Sequence, residues 1–150
     1  MASLAHAAGG HLDPVERAVL EAVFVHGHTC AELARLRGTP AYPPALGPPA
    51  PRTQATSEAR RLRRLLGRVV DRVLSPEFIY VARLMGASGL PAPPGWSNTR
   101  RRVATAIFLR GLSVRAAARD LGLSQHVIRA HRDAVRAMAE AARTGAGGAA

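Results

Sequence analysis

Proline and glycine divide this sequence into short segments, and that punctuation limits its fold more than any other feature. Residues 39–56 contain six prolines in 18 positions, and residues 86–96 contain three prolines and three glycines. Because proline lacks an amide hydrogen, neither stretch can continue a helix or an inner β-strand, and 39–56 is predicted to be an extended, polyproline-like loop. Ala, Arg, Gly and Pro make up half of the 150 residues, whereas only six are aromatic. This mixture excludes an aromatic-rich β-sandwich or barrel and predicts an all-α protein of short helices.

Residues that cap helices precede each of the remaining segments. Asp13 followed by proline is a strong helix start, and Thr29 followed by Glu32 forms a capping-box pattern. Serines take the same role later in the chain: Ser57, Ser75, Ser97 (or Asn98), Ser113 and Ser124. The helices predicted to follow run from Pro14 to His26, from Cys30 to Gly38, over 58–74, from Pro76 to Met85, and over 99–110, 114–121 and 125–143. The chain ends, 1–12 and 144–150, are expected to be disordered.

The positive charge of the chain increases towards its C-terminal end. All 21 basic residues are arginine, ten residues are acidic, and the formal net charge is +11. Residues 1–56 are neutral overall, residues 57–95 carry +4 and residues 96–150 carry +7. A GC-rich coding sequence explains the absence of lysine but not this placement. We therefore predict a C-terminal part that binds a polyanion and a front part with another task.

The last three predicted helices are arranged as a helix-turn-helix unit. Gly111 separates the first helix from the second, and Gly122 separates the second from the third. Alanines 116–118 allow the second helix to approach the third closely. Ser124 caps the third helix, and its first amides are placed where a phosphate is favoured. This order of elements predicts contact with DNA.

One face of the third helix carries side chains that can read bases. Gln pairs with adenine and Arg with guanine, so contacts with base edges are predicted for Gln125, His126, Arg129 and Arg132. Phosphate contacts are predicted for Ser113, Arg115, Ser124, Arg100, Arg101, Arg102 and Arg136. Residues 100–102 lie in the first turn of a helix, where the helix dipole disfavours cations, and an anionic partner would compensate them. The alternative is that these arginines form an ordinary solvated helix face.

The stretch FLRGLSVRAAARDLGLSQHVIRAHRDAVRAM, residues 108–138, resembles the helix-turn-helix of sigma factor region 4 and of LuxR/NarL-type regulators. The resemblance covers residues 98–142. It implies a DNA-binding fold whose third helix enters the major groove, here through Ser124, Gln125, His126, Arg129 and Arg132. No counterpart of sigma region 2 is visible, so a complete, promoter-opening sigma factor is not expected.

The front of the chain repeats the same pattern. Residues 22–40 align with residues 106–124 at an offset of 84, and LDPVERAVLEAVFVHGHTCAELARLRG, residues 12–38, is also similar to sigma region 4. We therefore predict two tandem helix-turn-helix units, at 13–85 and 98–143, joined by a linker at 86–97.

The second repeat has a capping serine at position 124, but the first has Pro40 at the equivalent place. Either the front unit has lost its third helix, or that helix is 57–74, displaced by the proline-rich loop. We favour the second interpretation. That helix has a row of arginines that would form a second basic face: Arg60, Arg64, Arg68 and Arg72.

The leading hypothesis is a cytoplasmic, nucleoid-associated transcriptional regulator that binds double-stranded DNA sequence-specifically and is not an enzyme. Alternatives are a module that binds RNA polymerase or another regulator, and a non-specific structural or phage DNA-binding protein. A homodimer stays open. No cofactor, catalytic group or metal site is predicted, since His26, His28 and Cys30 lack a fourth ligand nearby. No apolar run approaches the roughly 20 residues that cross a bilayer, so no membrane partner is expected.

Overall fold

The structure is a computed structural model that describes residues 11–47, 55–86 and 96–146. Within those ranges the chain is all-α, as predicted, and no β-strand is present. The described residues form seven α-helices: α1 (Pro14–Leu20), α2 (Cys30–Leu36), α3 (Ala55–Val73), α4 (Pro76–Gly86), α5 (Asn98–Ala104), α6 (Val114–Leu121) and α7 (Gln125–Ala146). Two π-helical turns, Glu21–Val25 and Thr105–Leu109, extend α1 and α5, and a 3-10 turn, Pro44–Leu46, lies between α2 and α3.

The chain divides into two compact units, which we call the front unit (Met1–Asp71) and the C-terminal unit (Arg72–Ala150). The boundary falls near the C-terminal end of α3. Helix α4, which the sequence assigned to the front unit, packs instead against α7 and the π turn that follows α5. Its apolar side chains Phe78 and Val81 are buried.

Capping residues start the helices as predicted, with one exception. The Asp13 carboxylate accepts a hydrogen bond from the Glu16 amide at 2.8 Å, and the Thr29 hydroxyl accepts one from the Glu32 amide at 3.2 Å. Four serine hydroxyls accept amide hydrogen bonds in the same way: Ser75, Ser97, Ser113 and Ser124. The prediction for Ser57 was wrong, because α3 already begins at Ala55. Alanine is the best helix former, and residues 52–57 contain no proline that would prevent a start at Ala55.

Several predictions for the chain ends and loops lie partly outside the described residues, at 1–10, 48–54, 87–95 and 147–150. Inside the described ranges, Leu12 is buried, although 1–12 was expected to be disordered. Helix α7 continues to Ala146, past the predicted end at residue 143, because residues 144–146 contain no proline that would stop it. Trp96, in the predicted linker, is also buried.

The 84-residue repeat extends to the backbone hydrogen bonds. At the end of α1 the His26 amide donates to the Glu21 carbonyl at 3.0 Å, and after α5 the Arg110 amide donates to the Thr105 carbonyl at 2.9 Å. A glycine with positive φ follows each π turn, Gly27 at 71° and Gly111 at 67°. The two segments therefore share one local conformation that sequence identity alone, limited to scattered positions, did not establish.

The front unit buries a core to which three helices and the proline-rich loop contribute. Val19 of α1, Leu33 of α2 and Leu62 of α3 belong to one buried cluster. Tyr42 and Leu46, from the loop, belong to the same cluster. The extended conformation predicted for 39–56 is therefore wrong over its described part, where turns direct two apolar side chains inwards.

A buried carboxylate joins the loop to α3. Glu58 is only 6% exposed, and its Oε2 lies 2.5 Å from Arg37 Nη1. Its Oε1 accepts hydrogen bonds from Arg61 Nη1 at 3.1 Å and from the Tyr42 hydroxyl at 3.4 Å. Burial, and then the charge of Glu58, raise the pKa of Tyr42 above its ordinary value. This cluster connects α2, the loop and α3 at one point.

The core of the C-terminal unit, like that of the front unit, includes apolar side chains from three helices. Val103 and Ala106 from the α5 segment, Ala117 from α6 and Ile128 from α7 form its buried cluster. Small residues in α5 and α6 allow the three helices to lie close together. The core therefore holds α7 by its apolar side and leaves another side for solvent.

Removing the Glu58 carboxylate should destabilise the front unit. We expect Glu58→Ala to lower the free energy of unfolding by about 3 kcal/mol, because the largely buried Arg37 would lose its carboxylate partner. The control is Arg61→Ala, whose side chain is half exposed and whose loss should cost less than about 1 kcal/mol. Urea unfolding measures both values. Equal losses for the two variants would show that the buried pair is not the critical contact.

Alanine should have opposite effects at two glycines. Gly67 lies inside α3, and the space that an added methyl group would occupy is open, so Gly67→Ala should stabilise the protein by about 0.5–1 kcal/mol. Gly122 also has open space but its φ is +66°, so Gly122→Ala should cost about 1–2 kcal/mol. Thermal unfolding should show a rise of about 2–4 °C for the first variant and a fall for the second. A fall for both would contradict a regular helix at Gly67.

Candidate nucleic-acid interface

A short turn connects helices α6 and α7, and the first turn of each helix is capped and exposed. Gly122, with φ of 66°, ends α6 in the left-handed conformation and donates its amide to the Ala118 carbonyl. Ala117 and Ile128 are fully buried between the helices. The Ser124 hydroxyl accepts the Val127 amide at 3.3 Å and so fixes the first turn of α7.

The first two turns of α7 present most of the predicted base-reading side chains to solvent. Gln125, His126 and Arg129 are exposed, whereas Ile128 on the opposite side is buried. Arg132 is half-buried, at the edge between the exposed and packed faces. The structure thus brings three predicted side chains together on one exposed surface and places the fourth beside them.

Weak contacts within the protein hold these side chains in place. Arg129 Nη2 donates to Gln125 Oε1 at 3.2 Å, and Arg132 Nε donates to Asp133 Oδ1 at 2.9 Å. Exposed contacts of this type contribute about 0–1 kcal/mol, so a base edge or phosphate can replace them at small cost. These weak contacts orient the side chains before a partner binds and can be exchanged for contacts with that partner.

Two serines and one arginine surround the start of α6 and α7. The hydroxyl oxygens of Ser113 and Ser124 accept amide hydrogens, which leaves each hydroxyl hydrogen available to an anion. Both serines are exposed, as is Arg115 in the first turn of α6. Because the amino ends of helices carry partial positive charge, all three predicted phosphate contacts have suitable surroundings.

The arginines at the start of α5 differ in exposure. Arg101 and Arg102 are exposed, and Arg100 is half-buried. Ser97 caps this helix by accepting the Arg100 amide at 3.1 Å. The first turn of α5 therefore combines a positive helix end with two solvent-facing guanidinium groups.

Arg136, another predicted phosphate contact, has an acidic neighbour within the protein. Its Nε lies 3.6 Å from Glu77 Oε1, on α4. The side chain is about half exposed, so the pair is a surface contact that joins α7 to α4. A phosphate would have to compete with Glu77 for Arg136.

Sequence reasoning missed a set of contacts that positions α5 relative to α6. Arg110 Nη1 donates to Asp120 Oδ2 at 2.7 Å, and this hydrogen bond lowers the pKa of Asp120. Arg72 Nη1 donates to the Arg110 carbonyl at 3.2 Å. The ten-residue separation of Arg110 and Asp120 matches no helical repeat, so no pattern in the sequence identifies the pair.

The predicted second basic face is shorter than its spacing indicated. Arg60, Arg64 and Arg68 are exposed on α3, but Arg72 is half-buried against Arg110 and Gly111. A side chain added at Gly111 would collide with the guanidinium of Arg72. Arg72 therefore belongs to the packing of the C-terminal unit and not to the solvent-facing row.

The part of the chain that the structure describes contains no group of three His, Cys, Asp or Glu side chains arranged to hold a metal ion. None of its helices is long and apolar enough to span a bilayer. Comparisons of the chain with protein-family models, with curated proteins and with solved structures found no match. Function must therefore be inferred from the geometry of the described residues.

Proposed function

We propose that this protein is a transcriptional regulator that binds double-stranded DNA sequence-specifically, with the first two turns of α7 in the major groove. The observation that carries this proposal is the exposed group Gln125, His126 and Arg129 at the capped start of a well-packed helix. The major groove of B-DNA is wide enough for an α-helix and displays a different pattern of donors and acceptors for each base pair.

Each reading side chain has chemistry suited to a base edge. Gln125 can donate to and accept from adenine, and Arg129 can donate two hydrogen bonds to guanine. Their mutual hydrogen bond, at 3.2 Å, keeps both side chains on the same side of α7. Arg132 lies at the edge of the packed face and is half-buried, so it is less well placed to contact a base than Arg129. It can contact a phosphate instead.

Phosphate contacts would set the orientation of α7 in the groove. Ser113, Ser124 and Arg115 are exposed at the amino ends of α6 and α7. Residues 96–150 carry ten arginines and three acids, an excess that attracts DNA regardless of sequence. A protein that used this attraction alone would be a non-specific structural or phage DNA-binding protein, and only the reading side chains distinguish the two functions.

Selection of bound duplexes from a random pool should yield a preferred DNA site. For that site, Gln125→Ala and Arg129→Ala should each weaken binding by roughly 5- to 150-fold, because a bidentate base contact contributes about 1–3 kcal/mol of discrimination. Binding to random duplexes should change much less. Arg83→Ala, which removes an exposed arginine on α4, is the matched control. Failure to enrich a site, or an equal loss on all sequences, would contradict sequence-specific reading.

A second candidate function is docking to RNA polymerase or another regulator through the front unit. Phe24 and Val25, in the π turn after α1, are 38% and 57% exposed. Their equivalents in the repeat, Phe108 and Leu109, are 7% and 0% exposed in the C-terminal unit. The front unit thus leaves exposed two apolar positions that are buried in its counterpart, which favours a protein contact there.

Replacing both exposed apolar residues should separate this function from DNA binding. The double variant Phe24→Ser, Val25→Ser should lose binding to immobilised bacterial RNA polymerase while its affinity for the selected DNA site stays unchanged. Analytical ultracentrifugation of the same pair tests a homodimer that uses this surface. If the wild-type protein does not bind polymerase, docking to polymerase is ruled out, and if it does not self-associate, a homodimer through this surface is ruled out.

A further inference from the structure

Helix α3 contributes to the core of the front unit as α7 contributes to the core of the C-terminal unit. Leu62 of α3 packs in the cluster formed by α1 and α2, and Ile128 of α7 packs in the cluster formed by α5 and α6. Seven residues further along, Val69 and Val135 are also buried. The two helices can therefore be aligned residue by residue at an offset of 66.

This alignment places arginines of α3 at two of the reading positions of α7 and at one exposed position next to them. The exposed positions His126, Arg129 and Ala130 of α7 correspond to Arg60, Arg63 and Arg64 of α3, all of them exposed. Sequence spacing had selected the row 60, 64, 68 and 72 and had not included Arg63. The structural alignment defines a different surface, which we call the α3 arginine patch: Arg60, Arg63 and Arg64.

Acidic side chains do not neutralise this patch. Glu58 is turned into the core, where it pairs with Arg37 and Arg61. Asp71, the other acid of α3, lies seven residues beyond Arg64. Among the ion pairs of the described residues, none involves a member of the patch. Three like charges within five residues repel one another, and a polyanion would relieve that repulsion.

The start of α3 differs from the start of α7 in a way that limits what the patch can recognise. In the alignment, α7 begins at the position of Ala59, whereas α3 begins four residues earlier, at Ala55. The patch therefore begins five residues, more than one turn, inside α3 and is not in its first turn. Side chains in the first turn of a helix that points into the groove can reach base edges. Side chains further along the side of a helix contact the phosphate backbone first.

We propose that the α3 arginine patch is a second DNA-binding surface, which holds the phosphate backbone of duplex DNA without reading its sequence. The proposal rests on the proposed function for the identity of the ligand and adds a second site to it. Under this proposal the front unit contributes affinity and salt dependence, whereas α7 contributes the sequence preference.

The test uses the full-length chain and two duplexes of roughly 30 base pairs, about three helical turns, one of random sequence and one carrying the selected site. Fluorescence anisotropy measures binding between about 0.05 and 0.2 M salt. The double variant Arg63→Ala, Arg64→Ala is compared with Arg35→Ala, Arg83→Ala, which removes the same charge from exposed positions of α2 and α4. Alanine suits a helix at all four positions.

The patch variant should bind the random duplex on the order of 10-fold more weakly, and its plot of log affinity against log salt should become less steep by about 1.8. Its ratio of affinities for the two duplexes should stay unchanged. The variant Arg63→Lys, Arg64→Lys should keep the wild-type slope, since the charge is retained. If the double alanine variant does not fold, the single variant Arg64→Ala replaces it and should lower the slope by about 0.9.

Two results would overturn the proposal: a patch variant with the salt slope of the matched control, or a lost site preference with an unchanged slope. The variant Gln125→Ala, Arg129→Ala separates this outcome from failure of the proposed function. If that variant keeps the full site preference, α7 does not read DNA, while the random-duplex measurement still decides the α3 arginine patch.

Discussion

The buried carboxylate of Glu58 is the contact on which the front unit depends. Taking a charge out of water costs several kcal/mol unless a partner of opposite charge and hydrogen bonds compensate it. Arg37, Arg61 and the Tyr42 hydroxyl do so, and they come from the end of α2, from α3 and from the loop between them. The position of α3 relative to α2 and the described part of the loop is the one in which this carboxylate meets its three partners. The orientation of the α3 arginine patch follows from it.

The C-terminal unit also builds its core from three helices, with a shorter connection before the third. Residues 122–124 turn the chain, with Gly122 in the left-handed conformation and Ser124 capping the next helix, and Ala117 and Ile128 share the core that holds it. Because α7 starts immediately after the turn, its first side chains lie in an exposed first helical turn. The two units therefore present their third helices differently, which is why we propose base reading for α7 and backbone contact for α3.

Predictions from the sequence succeeded where the determining contact is local. A cap such as Asp13 or Ser113 bonds to an amide three residues ahead, so four adjacent letters contain both partners. They failed at Ser57, where a capping residue was available but the helix had already begun. At the candidate interface the exposed group that starts with Gln125 followed from helical spacing. The pair Arg110–Asp120 did not, because its partners meet only when α5 and α6 have packed.

By itself the sequence determined the helices, the glycines that end them, the internal repeat and the increase of charge towards the C-terminal end. These follow from backbone geometry and composition, which act over a few residues or over the whole chain. Only the tertiary structure decided which faces are covered: Arg72 is packed while Arg64 is exposed, and α4 joins the C-terminal helices. Spacing along a helix groups side chains into faces, but the neighbouring elements determine which of those faces meets solvent and can bind a partner.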